Sequence, residues 1–227
     1  MNKLLIACAV LAVSAAAIAA DQQPHEEGIE SQDYVWNEMY AEKLQALKAM
    51  GDALRGEIAF EVCQGCHRAS ALGRTDGSYP RLAGQHATVL IKQLTDVRAG
   101  RRDNPKMYPF ADKHVIGPQD IADIALYLQG LPSPPDNGKG PGVNLEQARK
   151  MYNDKCSKCH GDNGEGDSDK FYPRVTGQHY KYLLRESLAI RDGLRRNANP
   201  KMVKVIKDYG NDDLMAICDY MSRFESK

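Results

Sequence analysis

Two short runs carry the chemistry of this chain: Cys63-Gln64-Gly65-Cys66-His67 and Cys156-Ser157-Lys158-Cys159-His160. Two thiols separated by two residues and followed at once by a histidine form the covalent attachment signal for a c-type haem. The thiols become thioethers to the porphyrin, and the histidine ligates the iron from the proximal side. One copy could be chance or a redox dithiol. Two copies in similar surroundings point to two covalently bound haem c groups. Cys63 and Cys66 would hold one, with His67 on its iron; Cys156 and Cys159 would hold the other, with His160.

The sixth iron ligand has two sets of candidates. Met107 and Met202 each follow Asn-Pro-Lys, in loops that correspond between the two halves. A thioether opposite histidine stabilises ferrous iron and raises the potential, whereas a second histidine lowers it. His86 and His179 also recur, each at the start of a central helix, where a histidine can simply serve the helix end. The loop placement favours the methionines. Met50, Met151, Met215 and Met221 are expected to fill cores, His114 to be structural and His25 to be mobile. Cys218, left over from the attachment motifs, is expected to be a buried inert thiol.

These candidates sit inside an internal repeat. Tyr79-Pro80-Arg81-Leu82-Ala83-Gly84-Gln85-His86 is answered, 93 positions on, by Tyr172-Pro173-Arg174-Val175-Thr176-Gly177-Gln178-His179. Such a spacing is a duplicated domain rather than a solenoid. A Pro/Gly-rich stretch over 132–144 separates domain 1 (51–131) from domain 2 (145–227). Each half is small for a self-sufficient core, and a buried haem would supply the missing apolar surface.

The elements that must position the site read as helices. Residues 52–62 lead into the first motif. His86 to Ala99 carries Val89, Leu90, Leu94 and Val97 at helical spacing and stops at Gly100. Pro118 suits a first helical position ahead of Ile121, Ile124, Ala125 and Leu128. In the second half, Asn144 with Gln147 resembles a capping box. Helices follow over 179–191 and from Asn211. Nothing reads as a substantial sheet, so the fold class is all-α.

Residues 1–20 read as a signal peptide: Lys3, an apolar run, then Ala17-Ile18-Ala19 before the cut. Cys8 would leave with it. No later run has the roughly 18 apolar residues of a membrane span, so the mature chain is expected in the periplasm. Residues 21–50 form an acidic extension. Trp36, Tyr40, Leu44 and Leu47 fall at helical spacing in it, to pack on the protein's own surface or to dock a partner. Formal net charge is zero, and no concentrated basic face marks a nucleic-acid binder. Arg101/Arg102 and Arg195/Arg196, ahead of the methionine loops, could meet haem propionates, rim a docking face or lie in solvent. Tyr79 and Tyr172 are expected to pack on haem.

Taken together, residues 52–225 resemble the cytochrome c4 family of diheme c-type cytochromes. The resemblance rests on both attachment motifs, both Pro-x-x-x-Gly-Gln-His stretches, the arginine-rich segments and both methionine loops. It implies two tandem class I cytochrome c domains, with His67/Met107 on one iron and His160/Met202 on the other. It also implies that the carbonyls of Pro80 and Pro173 accept the proximal histidine Nδ1–H, and that the haems lie close enough for internal transfer. The implied function is periplasmic one-electron transfer rather than catalysis. The redox protein partners would include a quinol-oxidising complex or dehydrogenase on one side and a terminal oxidase or reductase on the other. The alternative is a dedicated cytochrome subunit of a periplasmic dehydrogenase, for example one oxidising a sulfur compound. A diheme peroxidase is disfavoured, because it needs an iron with an accessible coordination position.

Overall fold

The computed structural model describes residues 22–225. The expected signal peptide and Cys8 lie outside them. After an extended leader comes α1 (Ala41–Lys48), and then α2 (Ala53–Ala59), which opens domain 1. Asp52 starts α2 by accepting from the Leu54 and Arg55 amides at 2.9 and 3.0 Å, satisfying donors that a helix start leaves orphaned. A 3-10 turn (Phe60–Cys63) and α3 (Gln64–His67) carry the first attachment motif. Helices α4 (Ala87–Arg98), α5 (Tyr108–Ala111) and α6 (Pro118–Gly130) complete the half.

Domain 2 repeats the plan with α7 (Leu145–Met151), a π turn (Tyr152–Cys156), α8 (Ser157–His160), α9 (Tyr180–Arg191), α10 (Pro200–Ile206) and α11 (Asn211–Ser222). Among the described residues there is no strand, only an isolated bridge between Asp167 and Tyr172. The all-α expectation stands.

In each half the first helix crosses the last. The α2–α6 crossing is close because Gly56 has no side chain: a methyl there would stand 2.1 Å from the Asp123 carbonyl oxygen. Ala148 is the matching buried residue of α7. Phe60 and Tyr152, both fully buried, anchor the two cores. Asp52, Gly56 and Phe60 match Asn144, Ala148 and Tyr152 at an offset of 92, whereas the motif cysteines match at 93. The extra residue is absorbed between aromatic and cysteine, where domain 1 has a 3-10 turn and domain 2 a wider π turn. Such bulges take up an inserted residue without ending the helix.

Several local expectations change. Asn144 caps nothing with its side chain and stands in the left-handed region at φ 57°, a conformation asparagine tolerates. Met50 is 87% exposed and Met215 39%, so neither fills a core. Met50 sits in the turn between α1 and α2, and Met215 on the outer face of α11. The helical stripe of the leader is not continuous, because the helix begins only at Ala41. Trp36 lies ahead of it and stacks on Tyr172 of domain 2 at 6.3 Å between centroids.

The leader is bound along its length. Helix α1 lies against α4 and α6 and buries Lys43, whose Nζ is 3.0 Å from Asp96. His25, expected to be mobile, meets the Arg196 guanidinium at 3.0 Å. The interdomain linker is equally fixed. Arg81, almost fully buried, donates to Ser133 Oγ and the Pro134 carbonyl at 3.1 and 2.6 Å. Asn137 donates to the carbonyls of Gln178 and Ser222 at 2.9 and 2.7 Å.

Two candidate haem sites in one cleft

The two attachment motifs open on one continuous cleft between the halves. Its walls include Cys63, Cys66, His67 and Met107 from domain 1, and Cys156, His160 and Met202 from domain 2. Leu90, Leu94, Leu128, Leu183 and Ile217 supply apolar lining.

Each motif histidine is oriented by the repeated proline. His67 Nδ1 lies 3.2 Å from the Pro80 carbonyl oxygen, and His160 Nδ1 lies 3.0 Å from that of Pro173. With Nδ1 as donor, Nε2 is the nitrogen left to bind metal, and the bond fixes the ring plane and its basicity. Burial pushes both imidazoles below their ordinary pKa, against a smaller opposing effect of the carbonyls. That direction favours the neutral imidazole that a metal ligand needs. Burial pushes the Cys63 and Cys156 thiols up to about 11. These cysteines form no disulfide and lack the lowered pKa of a redox dithiol.

The methionines are presented differently in the two halves. Met107 caps the four-residue α5, whereas Met202 lies inside the seven-residue α10. Asn104 braces Met107: its Nδ2 lies 3.7 Å from the thioether sulfur, and its Oδ1 accepts from the Met107 amide at 3.2 Å.

This donor set fits a covalent haem. In each half motif cysteine, motif histidine and methionine line the same cleft, a soft set suited to iron porphyrin. No cluster of three or more His, Cys, Asp or Glu residues that could hold a bare metal ion occurs among the described residues.

His86 and His179 turn their Nε2 atoms to backbone carbonyls across the domain seam. His86 Nε2 lies 2.7 Å from the Glu165 carbonyl oxygen, and His179 Nε2 lies 2.7 Å from that of Leu72. Each reaches across to the other half. The neighbouring glutamines do the same. Gln178 accepts from the Arg81 amide at 3.0 Å and donates to the Arg81 carbonyl at 2.9 Å. Gln85 repeats both bonds on Arg174, each at 2.9 Å. The Gly-Gln-His repeat is thus a reciprocal clasp between domains. It grips the very peptide groups whose carbonyls orient the motif histidines.

The arginines are not solvated loops. Arg102 and Arg195 line the cleft and share Glu186 Oε2, each at 3.0 Å. They also share Gln93 Oε1, at 2.9 and 3.2 Å. Gln93 and Glu186 are equivalent positions in the repeat but differ in residue type, so identity between the halves could not reveal them. Arg101 pairs with Glu38 and Arg196 with Glu30, both in the leader. Tyr79 meets the His67 ring edge-on at 5.9 Å. Cys218 is fully buried beside Ser187 Oγ at 3.5 Å, and burial pushes its thiol up to about 12, so it is inert.

A duplicated helical domain with a covalent haem site in each copy defines a two-haem c-type electron-transfer protein. The cytochrome c family model matches residues 53–132 and again 145–223. The chain belongs to the cytochrome c family and, within it, to the diheme cytochromes c4. It is 30% identical to cytochrome c4 of Pseudomonas aeruginosa, over 76% of this chain and 89% of that one. It is 31% identical to a thiosulfate dehydrogenase electron acceptor of Stutzerimonas stutzeri, over 73% and 80%. The crystal structure of reduced cytochrome c4 from Pseudomonas stutzeri superposes with a TM-score of 0.69 at 28% identity, covering 78% of this chain and all of that one.

Proposed function

We propose that this protein passes single electrons in the periplasm between redox proteins, with His67 and Met107 on one iron and His160 and Met202 on the other. The observation that carries the reading is the duplicated geometry. In both halves a proline carbonyl orients the motif histidine, and a methionine lines the same cleft. When bound, haem c supplies a one-electron ferrous/ferric couple. The chain supplies the rest. His67 and His160 would bind the metal through Nε2, with the Pro80 and Pro173 carbonyls accepting from Nδ1. Met107 and Met202 would supply the thioethers that hold the iron and keep substrate from it, which disfavours a peroxidase. The apolar walls exclude water and limit reorganisation around the changing charge.

Optical and redox titration of the purified protein tests this reading. Two one-electron waves and a thioether–iron charge-transfer band are expected. Met107→Ala and Met202→Ala should each remove about half of that band. Retention of the whole band in both variants would sink the ligand assignment. So would rapid carbon monoxide binding by the reduced wild type.

A second reading is favoured by the relative named as a thiosulfate dehydrogenase electron acceptor. In it, the chain is the dedicated acceptor of a sulfur-oxidising dehydrogenase. Stoichiometric co-purification with such an enzyme would support the dedicated role; equal reduction rates by unrelated dehydrogenases would favour a general shuttle. The signal-peptide reading of residues 1–20 supports export. Among the described residues no helix is long and apolar enough to cross a membrane.

A further inference from the structure

The family model begins at residue 53, yet the leader ahead of it reaches the first methionine loop. Gln23 is the contact. Its Nε2 donates to the carbonyls of Val97 and Arg102, each at 2.8 Å. Its Oε1 accepts from the Asn104 amide at 2.9 Å. One side chain thus ties the end of α4, the arginine segment and the residue that braces Met107.

The surrounding leader is seated to keep Gln23 there. Glu26 N donates to the Gly100 carbonyl at 3.2 Å, and Ile29 N donates to that of Arg196 at 2.8 Å. The fit is close enough that a methyl on Gly100 would stand 1.8 Å from the Pro24 carbonyl oxygen. Arg196 of domain 2 gathers Glu30 Oε1 at 2.8 Å, His25 Nδ1 at 3.0 Å and the Glu26 carbonyl. Domain 2 carries the leader, and the leader carries the Met107 loop.

The second methionine has a different support. Met202 belongs to a regular helix started by Pro200 and capped by Asn199, which accepts from the Lys201 amide at 2.9 Å. Met107 has only the short α5 after it, with Asn104 and Gln23 before it.

We propose that Gln23 is a positioning residue for the Met107 thioether, so that the leader sets how firmly the first haem, and not the second, holds its sixth ligand. This rests on the reading of Met107 as an iron ligand. A loop released from one anchor loses positioning with each neutral hydrogen bond removed. With three bonds on one side chain and partial replacement by water, the expected net effect is roughly tenfold in ligand displacement.

Imidazole titration of the ferric holoprotein with its leader intact tests the proposal, with loss of the thioether–iron band as readout. In a Met202→Ala background the remaining band should disappear at roughly tenfold lower imidazole when Gln23→Ala is added. In a Met107→Ala background, Gln23→Ala should change nothing. Equal shifts in both backgrounds, or none in either, would overturn the inference. The chain has a single tryptophan, Trp36, whose emission reports whether the leader stays seated. A shift that occurs only together with altered Trp36 emission would assign the effect to the leader as a whole and overturn the role of Gln23. If Met107→Ala alone removes none of the band, the ligand reading fails and the proposal with it. If it removes half while Gln23→Ala shifts nothing, only the proposal fails.

Discussion

At the scale of single residues, the two attachment motifs differ in the residue after the histidine. Gly161 follows His160 at φ 80° and ψ 168°, a region open mainly to glycine. In domain 1 the same backbone is imposed on Arg68, at φ 66° and ψ 158°. A side chain held there costs on the order of 1–3 kcal/mol, of which the greater unfolded-state freedom of glycine returns a part. Arg68→Gly is therefore expected to stabilise domain 1 by about 1 kcal/mol, read as a higher denaturation midpoint of the holoprotein. Unchanged stability would mean that Arg68 has compensating contacts. The motif cysteines, the motif histidines and the two loop methionines stood out in the sequence because duplication marked them. Gln23 and Lys43 were not, because their partners stand more than fifty positions away and neither residue has an echo in the second half.

At the scale of elements, the helix crossings separate two routes to one packing. Gly56 lets α2 approach the α6 backbone, and Ala148 serves the α7–α11 crossing with a methyl in place. Gly56→Ala should force the helices apart and cost about 1–3 kcal/mol by overpacking. Ala148→Gly should cost closer to 1 kcal/mol, through helix propensity and a lost methyl. Thermal denaturation followed by circular dichroism checks the order, and a larger loss from Ala148→Gly would contradict it. Only α9 buries a single narrow face, and α4 is buried nearly all round, polar Lys92, Asp96 and Arg98 included. Even so, the helices themselves were readable from the spacing of their apolar residues. The leader was not, because its anchoring depends on Lys43, Glu38 and Arg196 more than on an apolar stripe. Polar ion-pair partners leave no periodic trace in a sequence.

At the scale of the whole molecule, carboxylates join the parts. Glu186 is shared by Arg102 and Arg195 across the domain seam. Burial alone would raise its pKa, but the two guanidiniums and Arg185 bring it down to about 2. Glu30 on the leader is likewise held at about 2, chiefly by its bond to Arg196. Both start from an ordinary value of 4.5. Their folded pKa values are depressed, so their contribution to stability is complete above pH 4.5 and drains as the pH falls towards 2. Acid titration should change Trp36 emission and the scattering radius in that window. Glu186→Gln should flatten the radius change; an identical profile in the variant would exclude the seam as its origin.

The Gln85–Arg174 and Gln178–Arg81 clasp has a consequence for assembly. Its two faces are equivalent by duplication, so domain 1 of one chain could grip domain 2 of another with the same four bonds. What favours self-pairing is the tether over residues 132–144, which keeps the partner half at an effective concentration of order millimolar. Removing linker residues until the halves cannot meet should convert the protein into an exchanged dimer. Light scattering would show this as a doubled mass with unchanged haem content per chain. A shortened chain that stays monomeric would mean that the leader, and not the tether, decides which halves pair.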